Sequence, residues 1–310
     1  MTSSRGGPPE DLGTIEEGPL SAALAALARD DPNGVVAALD GQLHHGRPGS
    51  PASLRQQVGE QLAVALASQT GRINRWIDSL STSASPTGRQ VACLLLASRY
   101  EQDRAGVLRA AEALADDAHW EVREAAGGLL GTLLDRDFER VLRRCEVLRS
   151  SRSENVRRTV VLAAKYAARR DRPERVAALL DLLEPLLRDE TPYVRRNLGP
   201  FALGDALLRV DPRTTLQRLR QWSRDRDSMV RWNVAMAFST AIGSFHWPAA
   251  KAVLDRLARG PEPVVRMAVA KAVRRCRQRF TEDVEDTIRA WQRDRERQAT
   301  AQLVGPARRR

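Results

Sequence analysis

One motif recurs along this 310-residue chain at nearly constant spacing, and it constrains the fold more than any other feature. It reads SLRQQVGEQLA from Ser53, TGRQVACLLLA from Thr87, EVREAAGGLLG from Glu121 and NVRRTVVLAAK from Asn155. It continues as YVRRNLGPFAL from Tyr193, MVRWNVAMAFS from Met229 and VVRMAVAKAVR from Val264. Each copy has an Arg near its start, followed by small and aliphatic residues at helical spacing. The anchors are Arg55, Arg89, Arg123, Arg157, Arg195, Arg231 and Arg266, separated by 34, 34, 34, 38, 36 and 35 residues. A period of this length is the signature of a stacked-repeat architecture, in which each unit buries its apolar face only against its neighbours.

The segments before the anchors, such as RAGVLRAAEALAD, FERVLRRCEVLR and AAKAVLDRLARG, also carry helical periodicity. Each unit is therefore a helix–turn–helix. Asp117, Asp189 and Asp225 lie six residues before Arg123, Arg195 and Arg231. This D-x-x-x-x-V-R pattern resembles HEAT repeats over roughly residues 40–280, and the resemblance implies an Asp–Arg ladder between neighbouring turns. The expected fold is all-α, an α-solenoid of the ARM/HEAT superhelix type with about seven repeats. The expected organisation is a disordered Gly/Pro/Ser-rich tail over 1–19, a solenoid over 20–280, and a final polar helix with a basic tail over 281–310. A capping helix is expected from Pro19 and a turn from Gly46. No strand-like alternation is evident, which argues against a mixed fold.

Composition narrows the functional classes. The three cysteines are far apart and the four histidines are scattered, so neither a disulfide framework nor a zinc site is expected, and no cofactor is implied. The opening residues have no apolar core, and no run of about 18 apolar residues occurs, so neither a secretory leader nor a membrane span is expected. The cytoplasm is the expected compartment. No phosphate-binding G-x-x-x-x-G-K loop and no nucleophile elbow are present. Cys145 and Trp222 read as core, Trp247, just before Pro248 at a helix entrance, as a staple, and the Gly127–Gly128 pair as a site of close helix packing. The net charge is +11, and all but three of the 50 basic residues are Arg. That balance suits a polyanionic partner, although a GC-rich genome also favours Arg over Lys.

The residue after each anchor lies about 200° round the helix from the apolar stripe. That row reads Gln56, Gln90, Glu124, Arg158, Arg196, Trp232, Met267. In a solenoid of this kind the second helices line the concave surface. Trp120 precedes Glu124 by one turn and shares its side. A plainer reading of the pair stays open: Trp120 packs on the preceding turn or on His119, and Glu124 bridges to Arg158 or Arg196.

A Trp-x-x-x-acid helix, an Arg-Arg helix start one repeat on, and an aromatic one repeat further resemble the HEAT-like-repeat alkylpurine DNA glycosylases. The resemblance implies a basic concave face for alkylated double-stranded DNA, with Trp120 and Glu124 as the catalytic pair. The family's backbone-binding Arg falls on Arg157 or Arg158, of which the turn count favours Arg158. Arg196 and Trp232 extend the DNA-binding set. The family's second Trp, within a Gly-Trp-Ala-Leu stretch, matches Phe201 if one residue is inserted; without the insertion it falls on Pro200. Turn counting from Val194 along a straight helix puts Phe201 on the core side. A related branch often has Leu-Asn-Asp where this chain has Leu203-Gly204-Asp205, which makes Asp205 a second candidate acid. The chemistry implied is hydrolysis of the N-glycosidic bond of N3- or N7-alkylated purines by stabilisation of an oxocarbenium-like sugar, without a metal or small-molecule cofactor. The alternative function is a non-catalytic HEAT scaffold for a protein partner.

Overall fold

The computed structural model describes residues 17–44, 47–48 and 50–305. Most of the expected N-terminal tail, part of the turn from Gly46 and the last five residues of the basic tail lie outside the described residues. Among the described residues the fold is all-α apart from a two-residue antiparallel pairing of β1 (Leu43–His44) with β2 (Arg47–Pro48). The chain is an α-solenoid of helix–turn–helix repeats, as its period requires. It divides at Arg104 into two compact units, although the motif period runs across that point unbroken.

The first unit contains α1 (Glu17–Ala28), α2 (Pro32–Asp40), α3 (Ala52–Leu66), α4 (Thr70–Ser81) and α5 (Pro86–Arg99). The turn between α1 and α2 passes through Asp30, whose φ of 57° is uncommon for a residue with a Cβ. Its carboxylate repays the strain. It accepts from Trp76 Nε1 at 2.7 Å and Arg72 Nε at 2.6 Å, and these donors hold its pKa down at about 2.

The second unit begins within α6 (Arg104–Ala115) and continues through α7 (Trp120–Arg136), α8 (Phe138–Leu148), α9 (Glu154–Ala167), α10 (Val176–Leu183) and α11 (Pro192–Asn197). Then come a π-helical segment (Leu198–Leu207), α12 (Leu208–Val210), α13 (Pro212–Trp222), α14 (Ser228–Ala237), α15 (Ala241–Ser244), α16 (Trp247–Leu257), α17 (Pro263–Arg277), α18 (Thr281–Arg293) and α19 (Gln298–Val304). The second helices α7, α9, α11 with its π extension, α14, α17 and α19 pack one on the next. Their apolar stripes supply the core: Val122, Ala126, Leu129 and Leu133 of α7 are buried, as are Val156, Val160 and Ala164 of α9. Trp222, Trp247 and the three thiols are buried too. Of the glycine pair in α7, only Gly127 is at a contact; a Cβ there would come within 2.7 Å of Leu162, while nothing lies within 4 Å of one at Gly128.

The anchor Arg side chains fold back on the turn before their own helix. Arg123 Nη1 donates to the carbonyls of Asp117 and Ala118 at 2.7 and 2.9 Å, and Arg157 Nη1 to those of Ser151 and Arg152 at 2.9 and 3.0 Å. Arg231 repeats the pattern on Asp225 and Arg226, and in the first unit Arg89 does so on Ser83 and Ala84. The acid six residues earlier closes the same turn. Asp117, Asp189 and Asp225 accept the backbone N–H two residues on, and Ser83 and Ser151 do this where the motif lacks Asp. Rungs then run between repeats: Arg157 Nε donates to Asp189 at 2.6 Å, Arg188 to Asp225 at 2.6 Å, and Arg231 to Glu262 at 2.5 Å. Arg195 departs from the pattern, with its Nη1 3.1 Å from Met229 Sδ and its guanidinium over the Trp232 ring.

The break in α11 has a local cause. Pro200 lacks an N–H, and its ring collides with the carbonyl four residues back, so the α ladder cannot continue through it. The chain widens into π geometry, which absorbs an extra residue within a helix. The Gly199 N–H donates to Oδ1 of Asn233 at 3.1 Å. Asn233 is fully buried, and its amide donates in turn to the carbonyls of Leu187 and Met229 at 3.1 and 3.0 Å. Gly204 lets the segment lie directly on α14, because a Cβ there would collide with the carbonyl of Ala237. Asn233→Ala would strand a buried donor and a buried acceptor. We expect a loss of about 3 kcal/mol in urea unfolding, and unchanged stability would refute this pinning role.

Candidate functional site

Glu124 and Trp120 sit in the first two turns of α7. Trp120 is the first residue of that helix and is 58% exposed, its ring stacked loosely on His119 with centroids 6.5 Å apart. A Trp this open leaves much of an apolar face in water, which a folded chain seldom does with so large a ring. One turn on, the Glu124 side chain is 31% exposed, and both of its carboxylate oxygens are engaged. Oε2 accepts from Arg158 Nη2 at 2.6 Å, and Oε1 from the Tyr166 hydroxyl at 2.7 Å, both donors being on α9. Burial alone would raise its pKa; the Tyr166 and Arg158 hydrogen bonds, with the Arg158 and Lys165 charges, outweigh it and hold the group below its usual value. Glu124 is therefore an anion at neutral pH. Burial and the same bond to Glu124 raise Tyr166, so the phenol keeps its proton.

Arg158 is not where the turn count puts it. It is only 7% exposed, and its Nε and Nη1 have no hydrogen-bond partner. It turns inward because Glu124 of the preceding repeat takes one end of its guanidinium while the Tyr193 ring covers it at 4.6 Å. Tyr193 also receives Arg196 at 5.7 Å and Arg123 at 5.2 Å, and Arg123 Nε donates to its hydroxyl at 2.9 Å. One ring thus gathers three guanidinium groups. Arg157, the other candidate for a backbone contact, is committed to the ladder through Asp189 and the Ser151 turn.

The remaining expected residues form a second cluster. Arg196, Phe201 and Trp232 line one groove of about 600 Å³, together with Asp205, Lys271 and Arg275. Phe201 is 44% exposed, not core-facing as a straight helix requires. The π segment is the reason: Leu198–Leu207 winds more widely than an α-helix, so the register counted along a straight helix no longer holds. The aromatic brought to the surface is the one that matches the family's second Trp after a one-residue insertion. Trp232 is half-buried on α14, its ring 5.2 Å from the Arg195 guanidinium. Asp205 has one carboxylate oxygen that is shielded from solvent and has no donor.

Tyr166 and Tyr193 were not singled out by sequence. Tyr193 immediately precedes the Val-Arg-Arg anchor, so its position was visible, but its reach to Arg123, two second helices back, was not. Tyr166 sits two turns beyond Arg158, and only the pairing of α7 with α9 brings it to Glu124.

Residues 49–202 match the family described as DNA alkylation repair enzyme, and residues 180–274 match HEAT repeats. No curated protein matches the chain in sequence. Among solved structures, a Kap121p mutant is 13% identical, with a TM-score of 0.49, over 96% of this chain and 34% of its own. Yeast importin-β (Kap95p) is 14% identical, with a TM-score of 0.44, over 92% of this chain and 44% of its own. The E. coli protein YibA is 15% identical, with a TM-score of 0.41, over 97% of this chain and all of its own. This chain spans about a third of the length of Kap121p and less than half that of importin-β. The chain carries HEAT repeats and resembles the DNA alkylation repair family over residues 49–202, about half of its length. No helix among the described residues is long and apolar enough to cross a membrane.

Tyr166→Phe removes one of the two donors that offset the burial of Glu124. The carboxyl pKa, followed by NMR titration, is expected to move up. Because the folded value lies below the unfolded one, the donors' contribution to stability is present above the unfolded pKa and is lost as pH falls through the folded one. In Tyr166→Phe the acid-side loss should be smaller. An unmoved pKa would show that Arg158 alone sets the ionisation of Glu124.

Proposed function

We propose that this protein binds duplex DNA and hydrolyses the N-glycosidic bond of N3- or N7-alkylated purines, with Glu124 as the catalytic carboxylate and Trp120 as its partner surface. A purine alkylated at these positions carries positive charge. Its bond to the sugar breaks with the electron pair leaving on the base, which departs neutral and needs no general acid. The sugar passes through an oxocarbenium-like state, and water adds to its anomeric carbon and gives up a proton to solvent. A fixed carboxylate stabilises that cation in proportion to how well it is preorganised and how firmly it stays ionised. Trp120 offers a π face to the positively charged base and sugar. Arg196, Lys271 and Arg275 suit phosphates of the same duplex, holding register without reading sequence.

The observation that carries this reading is the open Trp120 one turn from a carboxylate held ionised by two donors, on the face formed by the second helices. Glu124 retains acceptor capacity, because a carboxylate has about four lone-pair sites and only two are used. The same ion pair favours one second reading. A Glu124–Arg158 bridge that is purely structural leaves a HEAT scaffold for a protein partner, with Trp120 as part of its docking face.

Release of methylated base from methylated duplex DNA separates the two. Wild type should release base, Glu124→Gln should lose on the order of 10²-fold in single-turnover rate, and Trp120→Ala should fall in the same direction. Trp120→Ala lies at an exposed position and should change stability by no more than about 0.5 kcal/mol, so its loss of activity would not be a loss of fold. Duplex binding should weaken steeply with salt. Binding without release would exclude the hydrolysis, and neither binding nor release would leave the scaffold.

A further inference from the structure

We infer that Tyr166 is a positioning residue for Glu124, and that Gly131 is the seat that lets it act: between them they fix the direction of the carboxylate. This inference rests on the glycosylase reading above and adds two residues to it. Glu124 lies on the side of α7 away from the apolar stripe, where a glutamate turns about several bonds and its charge ordinarily samples several rotamers. Arg158 holds Oε2 from the inner side, its guanidinium buried beneath the Tyr193 ring. With that bond alone the carboxylate still swings about it. The Tyr166 hydroxyl takes the other oxygen at 2.7 Å, and donors on both oxygens fix the plane of the group as well as its place. Burial and the neighbouring anion keep the phenol protonated, so the bond runs from Tyr166 to Glu124.

The backbone of α7 is shaped to admit this ring. Gly131 lies two turns beyond Glu124, and a Cβ there would come within 2.6 Å of the Tyr166 Cβ and 3.3 Å of the Ala163 carbonyl. Gly127, one turn earlier, meets Leu162 in the same way. The two glycines form a strip without side chains on which α9 lies close. Tyr166 itself is 42% exposed, with the Lys165 ammonium over its ring at 4.5 Å. Its ring is therefore not needed to fill the core, and what its seat secures is the bond to Glu124. A fixed anion stabilises a developing cation without reorganising, whereas a mobile one must first be brought into place.

The test is single-turnover release of methylated base from methylated duplex, near neutral pH and so well above the titration of a carboxylate. Duplex affinity and thermal unfolding are measured on the same preparations. Tyr166→Phe keeps the ring and should lower the rate on the order of tenfold, while the duplex Kd stays within about twofold. In a Glu124→Gln background the same change should cost less than about twofold, because no anion remains to be held. Gly131→Ala keeps the hydroxyl but displaces its ring, and should reproduce the rate loss; should that variant fail to fold, Tyr166→Phe and the double variant carry the test. A full rate in Tyr166→Phe would overturn the proposal. So would a loss matched by weaker duplex binding, or one of equal size in the Glu124→Gln background. Release that depends on Glu124 but not on Tyr166 overturns this role alone, and absence of release by the wild type overturns the glycosylase proposal and this role together.

Discussion

The anchor Arg that bends back onto the turn before its own helix is the interaction on which the rest of this protein depends. Each such Arg ties the start of its own helix to the turn before it, satisfying two turn carbonyls. The Asp or Ser six residues earlier closes the same turn from the other side. With both in place the crossing of the two helices is set within each repeat, and the next repeat docks on a surface of fixed shape. The rungs from Arg157 to Asp189 and from Arg231 to Glu262 then carry the geometry forward.

That regularity makes its interruptions informative. In the copy at Tyr193, the anchor Arg195 turns away to Met229 and Trp232, and the helix breaks three residues later into π geometry. A buried Asn233 and a glycine pressed against the Ala237 carbonyl hold the irregular segment, so it is supported from beneath. Its effect is to present Phe201 outward, opposite the cationic residues of α17. A strained or unusual helix in an otherwise repetitive fold is most easily understood as re-aiming a side chain.

Charge on the site face is more tightly coupled than a row of surface Arg residues suggests. Glu124 is held by Arg158, Arg158 lies under Tyr193, and Tyr193 also gathers Arg123 and Arg196. The carboxylate is thereby kept ionised in a place where burial opposes it, and the Arg residue is withdrawn from direct contact with solvent. Arg196 is the one member exposed to solvent, and it is also the member that reaches the groove. The two clusters therefore share a residue.

The period of the anchors, the alternation of helices and the identity of the apolar stripe were legible in the sequence because they are local and are repeated seven times, each copy confirming the others. Trp120 on the same side as Glu124 was legible for the same reason, since one helical turn separates them. The inward turn of Arg158 was not. A count of helical turns places a Cβ, whereas a long side chain goes to whatever partner the next helix offers, here a carboxylate 34 residues earlier and a ring 35 residues later. Tyr166, Tyr193 and Asn233 were equally silent, because each acts through contacts between repeats. Phe201 shows the limit best: the break at Pro200 could be read from the sequence, but the direction of Phe201 depends on how widely the helix winds there. The sequence by itself determined that repeats would stack and which residues would line their second helices. Only the tertiary structure decided which of those side chains meet, because that depends on reach, burial and competition among partners that no periodicity encodes.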